Sequence, residues 1–195
     1  MEQLLDFHSG RRLILASASP RRRELLSMLD VEFTVRPLTG VDESYPESLS
    51  AVEVPLYLAR KKGEAAMASA KPDEIIITAD TVVVCNGKVL GKPHNAAEAK
   101  SMLRELSGRK HTVVTGVAVS TATGSESDAA YTEVEFAELT EAEIDHYINK
   151  YKPFDKAGAY GIQEWIGCIG VKHISGSFYN VMGLPLHLLY NMLQG

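Results

Sequence analysis

Cysteine is scarce in this 195-residue chain: Cys85 and Cys168 are the two, far apart and without a Cys-x-x-Cys spacing. That excludes a cysteine-built zinc centre and a disulfide scaffold, and both are expected to be buried free thiols in a reducing cytosol. Long apolar runs are missing too. No stretch approaches the ~20 residues of a membrane span, and Met1 to Arg12 carries no signal-peptide pattern, only a short amphipathic turn with Leu4, Leu5 and Phe7. There is no excess of positive charge: 20 Lys and Arg stand against 25 Asp and Glu, a net charge of -5. Binders of nucleic acid or membrane surfaces usually carry a broad basic footprint, so neither partner is expected. The six histidines are scattered, with no His-Glu-x-x-His helix. No Gly-x-x-x-x-Gly-Lys-Ser/Thr loop and no Gly-x-Ser-x-Gly elbow occurs. These gaps argue against a zinc-helix protease, a Walker-type ATPase and covalent serine chemistry.

What is present is ordinary for a globular protein with a sizeable core: 45 % apolar and 23 % charged residues. The length allows one domain over residues 1–195, or one with two lobes around a cleft. Strands are predicted at about Leu13–Ala16, Phe33–Pro37, Glu74–Cys85, His111–Ser120, Tyr131–Phe136 and Ile166–Ile174, with Phe178–Val181 short and extended. Helices are predicted over Arg21–Leu29 (Leu25, Leu26, Met28 and Leu29 giving its apolar stripe), Ala51–Ala70, from Asn95 or Pro93 to Leu106, from Thr140 to about Tyr151, and over Leu186–Leu193. Ser50 with Glu53, and Thr140 with Glu143, have the capping-box spacing. Asn86-Gly87 is a type I′ turn signal that returns Lys88–Gly91 as a hairpin. Thr121–Asp128 reads as a turn region and Pro153–Gln163 as a glycine-rich loop. Strands alternate with helices early and pair as hairpins late, so the class is α/β with a mixed sheet.

One stretch organises the rest. Leu13-Ile14-Leu15-Ala16 reads as a buried strand; Ser17, Ser19 and Pro20 follow, then Arg21, Arg22 and Arg23, then the first helix. The free N–H groups of a helix start favour anions, and arginine forks match phosphate oxygens. The stretch is therefore either a phosphate loop or simple Ser19 capping with a solvated basic face. Asp80 lies in the most apolar strand, where a carboxylate is costly unless compensated; it reads as a general base, a metal ligand, or a residue bonded to a neighbouring loop. Lys92, between Gly91 and Pro93, sits on a rigid turn from which it can reach a phosphate. Lys62 lies on a helix among other charges. Asp155 to Gln163 holds two glycines within four residues, a cation in Lys156, and in Gln163 an amide suited to a base edge. Glu43 can join Asp80 around a metal. Taken together, separate cations, a strand-borne carboxylate and a glycine-rich loop suit a polyphosphate ester.

Ser17-Ala-Ser-Pro-Arg-Arg22, Ala79-Asp-Thr81, Gly91-Lys-Pro93, Asp155-Lys-Ala-Gly-Ala-Tyr-Gly-Ile-Gln163 and Gly176-Ser-Phe-Tyr-Asn-Val-Met-Gly-Leu-Pro185 occur in this order. Together they resemble the Maf family of nucleoside triphosphate pyrophosphatases. The resemblance implies a cytoplasmic house-cleaning enzyme that hydrolyses a nucleoside triphosphate between the α and β phosphates with a divalent cation, Mg²⁺ or Mn²⁺. It implies an elongated, twisted mixed sheet flanked by helices with a central cleft, similar to inosine triphosphatase-type enzymes, and a homodimer. Asp80 matches the catalytic carboxylate. Arg21, Thr81 and Gln163 match the specificity positions of the dTTP/UTP branch; the 7-methyl-GTP branch typically carries an aromatic after Ser-Pro and differs at the Gln position. Ser17, Arg22, Glu43, Lys62, Lys92 and Lys156 match further polar positions lining the cleft; Ser17, Arg22, Lys62, Lys92 and Lys156 are expected to bind the phosphates, and Glu43 to join Asp80 as a metal ligand. The alternatives are a 7-methyl-GTP pyrophosphatase of the same family or a non-catalytic nucleotide-binding regulator of cell division. Two positions depart from the family pattern: Gly63 stands where Ala is usual, which weakens a helix, and Glu164-Trp165 follows Gln163 where a Gly is usual.

Overall fold

The computed structural model describes residues 10–194; the expected turn with Leu4, Leu5 and Phe7 lies outside them. Seven strands, β1 (Arg12–Leu15), β2 (Phe33–Val35), β3 (Glu74–Cys85), β4 (Lys88–Leu90), β5 (Lys110–Thr121), β6 (Gly124–Phe136) and β7 (Val171–Ser175), form one sheet of order β2-β1-β3-β5-β6-β7, with β4 on β3. β1 runs parallel to β2 and to β3, whereas β3/β4 and β6/β7 are antiparallel. The expected mixed α/β class is the one observed. The helices are α1 (Pro20–Ser27), α2 (Val54–Met67), α3 (Ala96–Leu106), α4 (Glu141–Tyr151), α5 (Trp165–Gly170), α6 (Phe178–Met182) and α7 (Leu186–Gln194).

The described residues divide into two compact units, 10–80 with 115–130 and 183–194, and 81–114 with 131–182. In the first, Ile14 and Ile76 on adjacent parallel strands pack with Ala66 of α2. Leu25 and Leu26 of α1 are fully buried, each stabilising the fold by roughly 2 kcal/mol. Met28, counted in that helix's apolar stripe from its spacing, is instead exposed, because α1 ends at Ser27 and the stripe ends with it. The core of the second unit contains Leu103, Leu106, Phe136, Ile144 and Tyr147.

Local signals placed most ends correctly. Ser19 accepts from Arg22 N–H at 3.4 Å and caps α1. Asn95 caps α3, and Thr140 and Glu143 form the expected capping box of α4. Asn86 and Gly87, both at positive φ, turn β3 into β4 with Cys85 opposite Lys88. Five expectations are corrected. α2 starts at Val54 rather than Ala51, since Pro55 has no N–H for the Ala51 carbonyl; Ser50 donates to the Glu53 carboxylate instead of capping the helix. Residues assigned to a turn before Asp128 belong to β6, whose polar, largely exposed first half lacks the alternation that marks a strand. The apolar run after Trp165 first makes the short helix α5 and only then β7. There the Ile162 carbonyl lies so close that a Cβ at Gly167 would sit 1.8 Å from it. The segment from Phe178 is helical, opened by Ser177, whose hydroxyl accepts from Asn180 N–H at 3.3 Å. Cys168 is exposed; Cys85 alone is a buried thiol.

Gly63, expected only to weaken its helix, has a packing role. A Cβ there would lie 3.0 Å from Ser120 Oγ on β5, so the missing side chain lets α2 lie close on the strand.

A buried carboxylate anchors the start of β3. Glu74 is fully covered, receives both Arg36 Nη atoms at 2.9 and 2.7 Å and Arg12 Nη2 at 3.2 Å, and accepts from Lys71 N–H at 3.0 Å. The Arg36 hydrogen bonds, with the Lys71 amide, hold its pKa at about 2, below the ordinary 4.5. A carboxylate depressed in the folded state stabilises it above the unfolded value and loses that contribution as pH falls through the folded one. Thermal melts should therefore show stability falling from about pH 4.5 to about 2. Glu74→Gln should lower the neutral-pH Tm by about 5 °C and flatten that acid dependence.

Candidate active site

In the first unit, the end of β1, the start of α1, the loop before α2 and the middle of β3 bring charges together. Asp80 is the seventh residue of β3, and its side chain is 14 % exposed. Lys62 projects from α2 and donates to Asp80 Oδ1 at 2.6 Å and to Glu43 Oε1 at 2.9 Å; its side chain is also 14 % exposed. The costly carboxylate in an apolar strand is thus compensated by an ammonium that also holds a loop carboxylate. Lys62, one of several charges on its helix and by resemblance an expected phosphate-binding residue, is the hub of this group.

Arg22 fixes the backbone beside it. Its Nε donates to the Gly183 carbonyl at 2.8 Å and its Nη1 to the Ala79 carbonyl at 2.8 Å. Burial pushes its pKa down, and the Asp80 charge opposes that. Gly183, which sequence reasoning did not single out, ties the chain before α7 to α1 through this contact. Ser17 is buried and its hydroxyl accepts from Ser19 N–H at 3.2 Å, setting the turn into the helix. Arg21 is half-buried on the first turn of α1, while Arg23 is exposed. A 970 Å³ cavity is lined by Ser17 to Pro20, Arg23, Phe33 and Pro37 among others. Neither Lys62 nor Asp80 lines it, so this cavity is not where the carboxylates meet.

In the second unit, Thr81 directly follows Asp80 on β3 and is half-buried. Lys92 is exposed after β4, and the carbonyl before it, that of Gly91, accepts from Gly158 N–H at 3.0 Å, tying its turn to the glycine-rich loop. Lys156 on that loop is buried, its ammonium 2.8 Å from Asp155 Oδ1 and 3.1 Å from Glu164 Oε1. Gln163 is exposed at the end of the loop. Tyr147 of α4, absent from the sequence-based candidates, reaches the loop: its hydroxyl accepts from Gly161 N–H at 3.0 Å and donates to Glu164. Its signal in the sequence was only a place on the apolar stripe of α4.

Asp80 and Glu43 are the residues that could hold a divalent cation. They converge on a single cationic group, Lys62 Nζ, and one or two carboxylates completed by substrate phosphates and water is a common Mg²⁺ set. Among the described residues, no cluster of three or more His, Cys, Asp or Glu is gathered.

Residues 12–195 match the family described as Maf-like protein. A dTTP/UTP pyrophosphatase of Phocaeicola vulgatus is 56 % identical over 183 residues, 94 % of this chain and 95 % of the relative. One of Bacteroides thetaiotaomicron is 55 % identical over the same shares. One of Porphyromonas gingivalis is 50 % identical over 193 residues, 98 % of this chain and 97 % of its own. The Ham1 protein of Staphylococcus aureus superposes with a TM-score of 0.55 at 19 % identity, covering 95 % of this chain and 99 % of that one. A HAM1 protein of Coxiella burnetii gives 0.52 at 16 %, covering 94 % and 98 %. At such identities the likeness is one of fold, and it bears out the fold expected from the sequence.

Proposed function

The chain belongs to the Maf family, and from that premise we propose that it is a nucleoside triphosphate pyrophosphatase that hydrolyses dTTP and UTP at the α–β linkage. The products are the nucleoside monophosphate and pyrophosphate. The observation that carries the reading is the Glu43–Lys62–Asp80 group, standing in a chain half identical to dTTP/UTP pyrophosphatases along nearly its whole length.

In this reading Asp80 takes the proton from the attacking water, whose oxygen bonds to phosphorus as the α–β bridging bond breaks and pyrophosphate leaves. Lys62 holds Asp80 in one orientation, and Arg22 fixes the Ala79 carbonyl next to it. Mg²⁺ or Mn²⁺ held by Asp80 and Glu43 would offset phosphate charge and make the water more nucleophilic. Ser17, Arg22, Lys62, Lys92 and Lys156 are assigned to the triphosphate. Arg22, Lys62 and Lys156 already hold protein partners, so their contribution is more positional than that of Lys92. Arg21, Thr81 and Gln163 are assigned to the pyrimidine. The reading includes a single Maf-type domain, a cytoplasmic homodimer, and free nucleotides rather than nucleic acid as substrate. No helix among the described residues is long and apolar enough to cross a membrane.

With Mg²⁺ or Mn²⁺, purified protein should release pyrophosphate from dTTP and UTP at least tenfold faster, in kcat/KM, than from CTP or 7-methyl-GTP. A preference for 7-methyl-GTP would move the chain to the other branch. Nucleotide binding without pyrophosphate release would make it a regulator. No release and no binding with any nucleotide would overturn the reading.

A further inference from the structure

The glycine-rich loop is pinned by Lys156 of the motif itself and by Glu164 and Tyr147 outside it. Its ends are joined: Lys156 Nζ lies 3.1 Å from Glu164 Oε1, closing the loop that carries Gln163. The other oxygen, Glu164 Oε2, accepts from the Tyr147 hydroxyl, which in turn accepts from Gly161 N–H at 3.0 Å. Each atom of this chain therefore has a directed partner, from ammonium to carboxylate to phenol to loop amide. Tyr147 is fully buried and stacks on Tyr151 with ring centroids 5.1 Å apart, so its hydroxyl is held in place by packing. The Lys156–Glu164 pair lies against Gly161, where a Cβ would meet Glu164 Cδ at 2.9 Å and Lys156 Cε at 3.0 Å. On the preceding residue, the Tyr160 hydroxyl meets buried His111 Nε2 at 2.7 Å.

We propose that Glu164 and Tyr147 are positioning residues that lock the loop from Lys156 to Gln163 in the conformation that receives the nucleotide base. Glu164 follows Gln163 directly, so freeing its carboxylate frees the neighbouring amide. A loop already ordered pays less conformational entropy when ligand binds, so the lock acts on substrate affinity and base choice. Asp80 lies outside the loop, and the chemical step is not touched. The kinetic part of this inference rests on the pyrophosphatase reading; the pinning of the loop does not.

The test uses the full chain with Tyr147→Phe, Glu164→Ala and the double variant. Tyr147→Phe keeps the ring and its packing and removes the hydroxyl alone. Each single variant should raise KM for dTTP and UTP about tenfold with kcat within about threefold, and narrow the preference over CTP. The double variant should be no worse than either single one, because both break one chain. Amide hydrogen exchange of the peptide spanning 157–163 should quicken about tenfold in each variant without nucleotide, with Tm nearly unchanged for Tyr147→Phe. Unchanged KM in both single variants, or a fall confined to kcat, would overturn the inference. If the wild-type protein releases no pyrophosphate from any nucleotide, the functional reading fails. The inference is then decided by exchange: a quickened loop supports the pinning and an unchanged one overturns it.

Discussion

Replacing Asp80 with Asn is expected to lower kcat for dTTP and UTP by about 10³-fold, within the range that general acid–base groups contribute, while the protein stays folded. The amide matches the carboxylate in shape but cannot take a proton from water. It also removes the charge that meets Lys62 at 2.6 Å; Lys62 keeps Glu43 at 2.9 Å, so its ammonium is not left without a carboxylate. The loss of stability should stay near 1 kcal/mol. Pyrophosphate release and a thermal melt measure the two effects. Mn²⁺ affinity in the presence of nucleotide separates two roles for the carboxylate. Unchanged Mn²⁺ binding with lost turnover identifies Asp80 as the proton acceptor. Weakened Mn²⁺ binding identifies it as chiefly a ligand. Retained turnover would remove Asp80 from the mechanism.

The second large effect concerns a residue with no part in the chemistry. Gly116→Ala should destabilise the protein by about 3 kcal/mol, lowering Tm by about 10 °C for a chain of this size. A Cβ at Gly116 on β5 would stand 2.5 Å from the Cα and N of Leu56 and from the Pro55 carbonyl carbon. These are backbone atoms at the start of α2, so no rotamer change relieves the overlap, and the helix must lift from the strand. Lys62 rides on that helix. Turnover in the variant should therefore fall by about tenfold even below its Tm, as the Lys62–Asp80 contact is disturbed. An unchanged melt would mean that α2 can slide on β5 at little cost.

These two residues mark where the sequence could and could not be read. Asp80 stood out because a carboxylate inside an apolar strand conflicts with its surroundings, and such conflicts are visible one-dimensionally. Gly116 gave no such signal: a glycine in a strand reads as a weakness, and what fills the space above it comes from sixty residues earlier. The same contrast holds for elements. Helix ends at Ser19, Asn95 and Thr140 were legible because capping is a hydrogen bond across three residues. The Asn86-Gly87 turn was legible because positive φ selects those residues. The polar half of β6 and the helix at Trp165 were not, because the first lacks the alternation that marks a strand and the second lies in an apolar run that reads equally well as strand or short helix.

The α/β class, the apolar strands, most turns and caps, and the set of residue types that points to a polyphosphate substrate follow from the order of residues along the chain. Tertiary structure alone decided what those residues hold. It made Lys62 a bridge between Glu43 and Asp80, engaged Arg22 with the carbonyls of Ala79 and Gly183, and neutralised Lys156 with Asp155 and Glu164. The opening Ser-Pro-Arg-Arg stretch shows the difference most clearly. Its local chemistry allowed either a phosphate loop or a capped basic surface, and the fold divides it: Ser19 caps, Arg22 braces the strand beside Asp80, and Arg23 faces solvent. The physical reason is range. Propensity, capping and turn preference act over a few residues along the chain, whereas charge pairing and steric fit act over a few ångströms in space between residues that only folding brings near.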